Sequence, residues 1–157
     1  MLKKVSKLFF AVTLSELAGV VGAVFTTAAI SSWYVFLNKP FFSPPNWLFG
    51  PVWTTLYFLM GVSWFLVWIQ GWKKRKVQVA SYYFFVQLLL NTLWSLSFFG
   101  LRSPLLGLVN IIVLWIFIVL TMKKFRPLSK LAFYLLIPYI AWVSFASLLN
   151  AAIVVLN

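Results

Sequence analysis

The side chains able to do chemistry in this 157-residue chain are aromatic, amide and, at one position only, acidic. Trp53, Tyr57, Trp64 and Trp68 recur at i, i+4, i+11 and i+15, a spacing that keeps rings near one face of a helix. Gln87, Asn91 and Trp94 fall at i, i+4 and i+7, and Trp142, Ala146 and Asn150 at i, i+4 and i+8, with Tyr139 one turn earlier. A large ring beside a small residue leaves room for a flat apolar molecule, Trp142 being the stacking surface and Ala146 the gap. Ordinary helix packing uses the same pattern, so both readings stand. Glu16, the sole acid, lies inside an apolar run, where an ionised carboxylate costs about 2.5–3.5 kcal/mol. It is expected to be neutral or paired, either bonded to a neighbouring helix or held ready for a ligand or a proton.

Cys and His are absent, which excludes disulfides, thiolate chemistry, imidazole metal sites and His-based triads. With one carboxylate there is no acid/base pair for hydrolysis, and no phosphate-binding G-x-x-x-x-G-K-[ST] loop occurs. No cofactor or metal is required by these residues. If a reaction takes place, a bound photosensitising or redox-active molecule must supply most of it.

The elements that position these groups follow from composition. Hydrophobic residues make up 64% of the chain and charged ones 9%, too few to cover a water-soluble globule. Apolar runs cover residues 8–30, 47–69, 77–101, 105–122 and 131–156. A bilayer core of ~30 Å needs about 20 helical residues, and only a helix satisfies its own backbone in lipid. The fold class is therefore all-α, an integral membrane bundle of five transmembrane helices in a single domain over residues 1–157. Pro138 is expected to kink the last span. The first run resembles a signal peptide but is longer than a 7–15-residue signal core, and it is read as a retained span. It carries two small-residue rows, Ala18, Gly22 and Thr26, and Gly19 and Ala23, that suit close helix approach. The amides of Gln87, Asn91, Asn110 and Asn150 should face the bundle interior, whether for interhelical bonds or for a ligand.

Basic residues divide unequally between the two ends. Lys3, Lys4, Lys7, Lys73, Lys74, Arg75, Lys76, Lys123, Lys124, Arg126 and Lys130 share one side, against Lys39 and Arg102 on the other. This bias places the N-terminus in the cytoplasm and the C-terminus outside. It also explains the net charge of +12 without nucleic acid, since the clusters sit at membrane boundaries where anionic lipid headgroups are the fitting partner.

The connection over residues 31–46 differs from the others. It holds Trp33, Tyr34, Phe36, Phe41 and Phe42 together with Pro40, Pro44 and Pro45. A tether needs none of these. Either the segment folds over the bundle mouth as a lid, with the two prolines fixing an extended entry to the second helix, or its rings form an interfacial belt.

Trp33-Tyr34, Leu37, Lys39-Pro40, Pro44-Pro45, Trp47, Pro51-Val52-Trp53-Thr54, Leu56-Tyr57 and Met60-Gly61 together resemble the signature of the TspO/MBR family of tryptophan-rich sensory and translocator proteins. Gln87, Asn91, Trp94 and Phe98-Phe99-Gly100 extend the resemblance, as do Pro138-Tyr139, Trp142, Ala146 and Leu149-Asn150, so that it covers nearly the whole chain. The resemblance implies a five-helix membrane protein, often a homodimer, that binds porphyrins such as protoporphyrin IX or haem-like molecules, and benzodiazepine or isoquinoline ligands, beneath the first loop. Carried over by position, it implies a pocket of Tyr34, Pro44, Trp53, Tyr57, Asn91, Trp94, Trp142 and Ala146. The family is linked to tetrapyrrole regulation, stress signalling, sterol movement and light-dependent porphyrin breakdown, and Trp53 and Trp142 match the tryptophans of that last activity. Lys39 and Arg102, the cations on the loop side, are expected to meet the propionates. The aromatic-then-basic pattern that animal members carry near the C-terminus has no match after Lys130, so sterol association through it is not expected.

Overall fold

A computed structural model describes residues 2–157. The apolar runs form helices α1 (Leu2–Ile30), α2 (Phe49–Trp68), α3 (Arg75–Ser95), α4 (Pro104–Phe125), α5 (Lys130–Leu135) and α6 (Ile137–Leu156). A short helical turn, Asn46–Leu48, leads into α2, and a wide turn, Leu96–Gly100, continues α3. In the wide turn the Leu101 N–H donates to the carbonyl of Leu96, five residues back, at 2.7 Å. Counting these extensions, and taking α5 with α6, five helical lengths are long and apolar enough to cross a membrane. The break at Leu136, two residues ahead of Pro138, is the expected interruption: proline lacks the N–H that would have continued the ladder.

α1 packs on α2 and α3, α4 on α3 and α6, and α5 on α2. Lipid removes the hydrophobic drive between helices, so close packing of small residues and interhelical hydrogen bonds must hold them together. Both devices are present. The buried residues of α1 are Ala11, Ser15, Gly22 and Ala29, all small and all on one seam, while Leu17, Val20 and Val24 face outward. A Cβ added at Gly61 would stand 2.6 Å from the Val12 Cα and 2.9 Å from the Ala11 carbonyl oxygen. Here α1 and α2 meet backbone to backbone, and only glycine permits it. Ser63 Oγ donates to the Ala132 carbonyl at 2.7 Å, joining α2 to α5. At the basic end Trp64 stacks on Trp68 and Phe84, with ring centres 5.0 and 5.5 Å away, and the Lys7 ammonium lies 5.0 Å from the Trp68 ring. These rings form a structural and interfacial cluster.

The connection before α2 divides between its two expected roles. Phe41 is fully exposed and Trp47 is mostly so, as befits a belt. Tyr34 is buried, and a helical turn at Tyr34–Phe36 carries it inward against Phe98 and Phe99. The Lys39 ammonium donates to the carbonyls of Tyr34, Val35 and Leu37 at 2.8, 3.4 and 3.3 Å. The Asn38 N–H donates to Asn157 Oδ1 and the Asn157 amide returns a bond to the Asn38 carbonyl, both at 3.0 Å. The segment is thereby tied to itself and to the end of α6. Pro45 is extended, with φ −63° and ψ 143°, and sets the entry to the turn before α2.

Candidate functional site

Away from the crossing at Gly61, α1 and α2 diverge towards the loop end, and the gap between them is a half-open cavity of about 410 Å³. That volume lies within the ~300–1,000 Å³ usual for small-molecule sites. On α1 its wall runs from Glu16 through Gly19, Ala23 and Thr26 to Ile30, a stretch of about 21 Å at 1.5 Å per residue. α2 contributes Phe49, Trp53, Thr54 and Tyr57, and α3 closes the back with Trp94, Ser95 and Phe99. The rim residues Val20, Ala23, Thr27, Gly50 and Thr54 are exposed, so the opening faces the lipid side between α1 and α2.

The ring geometry is that of a small aromatic cluster. Trp53 is half-buried, with its ring centre 5.8 Å from Tyr57, 6.3 Å from Trp94 and 6.5 Å from Tyr139. Tyr57 is fixed from behind. Its hydroxyl donates to Asn91 Oδ1 at 2.5 Å, Asn91 Nδ2 donates to the Tyr139 hydroxyl at 2.8 Å, and that hydroxyl donates to Gln87 Oε1 at 2.8 Å. This polar chain crosses from α2 through α3 to α6 and satisfies groups that are otherwise costly at membrane depth. Trp94 donates its indole N–H to Asn150 Oδ1 at 3.2 Å, and Asn150 Nδ2 donates to the Pro104 carbonyl at 2.8 Å. The amides of Gln87, Asn91 and Asn150 do face the interior, and the bonds they make are interhelical. Asn110 is half-buried, and its Oδ1 has no partner among the described residues.

Of the pocket residues implied by the resemblance, Trp53, Tyr57 and Trp94 line this cavity. Tyr34 and Ala146 instead line a second void of about 20 Å³, together with Phe49, Trp94, Phe98 and Asn150. Phe49, Trp94 and Phe99 belong to both walls and separate the two spaces. Asn91 stands behind Tyr57. Trp142 packs against Phe49 and Phe145, with ring centres 6.2 and 5.4 Å away, and its buried indole nitrogen has no partner among the described residues. Trp142 and Pro44 line neither space. Lys39, expected to meet a carboxylate, is occupied by loop carbonyls and by the Tyr34 ring, 4.8 Å away. Arg102 sits exposed on the α3–α4 turn with a left-handed φ of 52° and does not line the cavity.

Sequence reasoning passed over Phe49, Ser95 and Thr54 as wall residues. A signal was available on α1: Glu16, Gly19, Ala23, Thr26 and Ile30 repeat at spacings of three and four, which is one helical face.

Five apolar spans around a ring-lined cavity define an integral, multi-pass membrane protein with the architecture of a small-molecule binder. The TspO/MBR family model matches residues 11–156. The chain is 50% identical over 155 residues to the tryptophan-rich protein TspO of Chlorobaculum tepidum, covering 99% of this chain and 98% of that one. It is 37% identical over 139 residues to the tryptophan-rich sensory protein of Cereibacter sphaeroides, covering 87% and 85%. With the translocator protein of Homo sapiens it shares 38% identity over 131 residues, 83% of this chain and 78% of that one. The chain belongs to the TspO/MBR family.

Proposed function

We propose that this protein binds a broad, flat, largely apolar molecule of the tetrapyrrole class, such as protoporphyrin IX or a haem-like porphyrin, in the α1–α2 cavity, and that it acts as a membrane sensor or regulator of that molecule. The observation that carries this reading is the wall of Trp53, Tyr57, Trp94, Phe49 and Phe99 around a space open to the bilayer, from which an apolar ligand enters without crossing water. The names of the relatives, a sensory protein and a translocator, agree with a binding role. The basic end lies in the cytoplasm, where its lysines and arginines meet anionic headgroups, and the loop end lies outside. The protein works as a homodimer.

The test is quenching of tryptophan fluorescence by protoporphyrin IX in detergent. Trp53→Phe is expected to weaken binding about 2- to 10-fold, the worth of one favourable ring contact, while Trp142→Phe changes it less than twofold. Equal effects of the two substitutions would put the ligand elsewhere. A second reading, light- and oxygen-dependent porphyrin breakdown, is favoured by the close placement of Trp53, Tyr57, Trp94 and Tyr139. Under illumination it requires a new product band that Trp53→Phe diminishes, and an unchanged pigment spectrum leaves binding alone.

A further inference from the structure

The polar groups of the α1–α2 cavity are unusual in sign. Thr26, Thr27 and Thr54 each spend their hydroxyl proton on a backbone carbonyl of their own helix, those of Gly22, Ala23 and Gly50, at 3.2, 2.8 and 3.0 Å. Tyr57 spends its proton on Asn91. A hydroxyl whose proton is committed still offers lone pairs, so these four groups face the cavity as acceptors. Trp94, which would have been a donor, is turned to Asn150. At the deep end Glu16 adds a carboxyl, the one acidic group of the chain and the one charged side chain on the wall. No Lys or Arg lines the space. Among the described residues Tyr57 is the only other titratable group on this wall, and no ion pair or hydrogen bond engages the Glu16 carboxyl.

We infer that the cavity selects flat aromatic ligands carrying a protonated amine, with the ammonium seated at Glu16 and the ring system lying along Trp53 towards the loop. In a lipid-walled space an ammonium needs a counter-charge and acceptors for its remaining protons, and this site supplies both. A carboxylate finds neither there, so an anionic ligand must keep its charged groups at the outer mouth. The inference rests on the reading of this cavity as the ligand site and goes beyond it in naming the chemistry that fits the floor.

The experiment compares 1-pyrenemethylamine, 1-pyrenemethanol and 1-pyrenecarboxylate, which share one ring system, by energy transfer from tryptophan in an uncharged maltoside detergent. In the parent protein the amine should bind about tenfold tighter than the alcohol, the worth of one charge-assisted contact, and the carboxylate weakest of the three. In Glu16→Gln the preference for the amine should fall to within about twofold. Equal binding of amine and alcohol in the parent, or a preference that survives Glu16→Gln in a variant with an unshifted thermal midpoint, overturns the inference. If Glu16→Gln does not fold, the ranking in the parent and its reduction in Thr54→Val decide the matter. Failure of all three pyrenes and of protoporphyrin IX to bind would remove the cavity as a ligand site. Binding without an amine preference removes only the selectivity.

Discussion

The two sides of the α2–α3 wall at the loop end are built from similar residues and end in opposite states. Towards α1 the rings of Trp53 and Trp94 border about 410 Å³ of open space, while towards α6 those of Trp94, Phe98, Tyr34 and Phe49 leave about 20 Å³. The difference lies in the partner helix. α6 brings Tyr139, Trp142, Phe145 and Asn150, bulky or polar groups that interlock with the α3 rings and amides. α1 brings Gly19, Ala23 and Thr26, which hold the backbone near α2 only at Gly61 and fill nothing above it. Emptiness in this bundle thus comes from small side chains on an outer helix. Aromatic content alone does not make a pocket, and the same rings close one side and line the other.

The largest perturbation should come from the point where the open side is hinged. Gly61→Val places side-chain atoms within the backbone of α1, and a loss of about 3 kcal/mol is expected, read as a lowered thermal midpoint in detergent. A midpoint unchanged by this substitution would mean that α1 is not seated on α2 at Val12. Next comes the closed side. Asn91→Leu strands the hydroxyls of Tyr57 and Tyr139 and should cost about 2 kcal/mol, while protoporphyrin affinity changes less than for Trp53→Phe. A larger change in binding than in stability would place Asn91 in direct contact with ligand.

The smallest effect is alkaline. Burial raises the Tyr34 phenol above its ordinary value of 10.0. The neutral phenol is thus favoured by the fold, and the stability it contributes is complete below pH 10 and lost as pH climbs from there towards the raised folded value. Tyr34→Phe has no proton to lose. Thermal midpoints of the two proteins should run parallel below pH 10 and diverge above it, by less than about 1 kcal/mol near pH 11. Parallel curves throughout would show the Tyr34 ring to be accessible to water.

Much of this was legible in the chain because lipid imposes blunt rules. The five spans follow from length and apolarity, the break before Pro138 from a missing N–H, and the inward amides of Gln87, Asn91 and Asn150 from the cost of exposing them. The partition was not legible. Trp53 and Trp142 each lie on a face suited to a ligand, and no spacing rule says that Phe49 packs against Trp142 while the open space gathers on the α1 side. The fate of Lys39 was hidden for a related reason: its partners are backbone carbonyls, which every residue has and no sequence marks. The meeting at Gly61 depends on where two helices cross, a distance that neither helix contains by itself.

The wide turn at Leu96–Gly100 holds one residue more than an α-helical turn would, and both Phe98 and Phe99 are buried there. Such a turn behaves as an old insertion that selection has kept. Excising Ser97 would restore regular winding and swing everything beyond it by about 100°, so Phe99 would leave the cavity wall and Gly107 would lose its fit beside Phe98 and Asn150. The stretch that joins the third and fourth spans therefore tolerates changes of letter far better than changes of length.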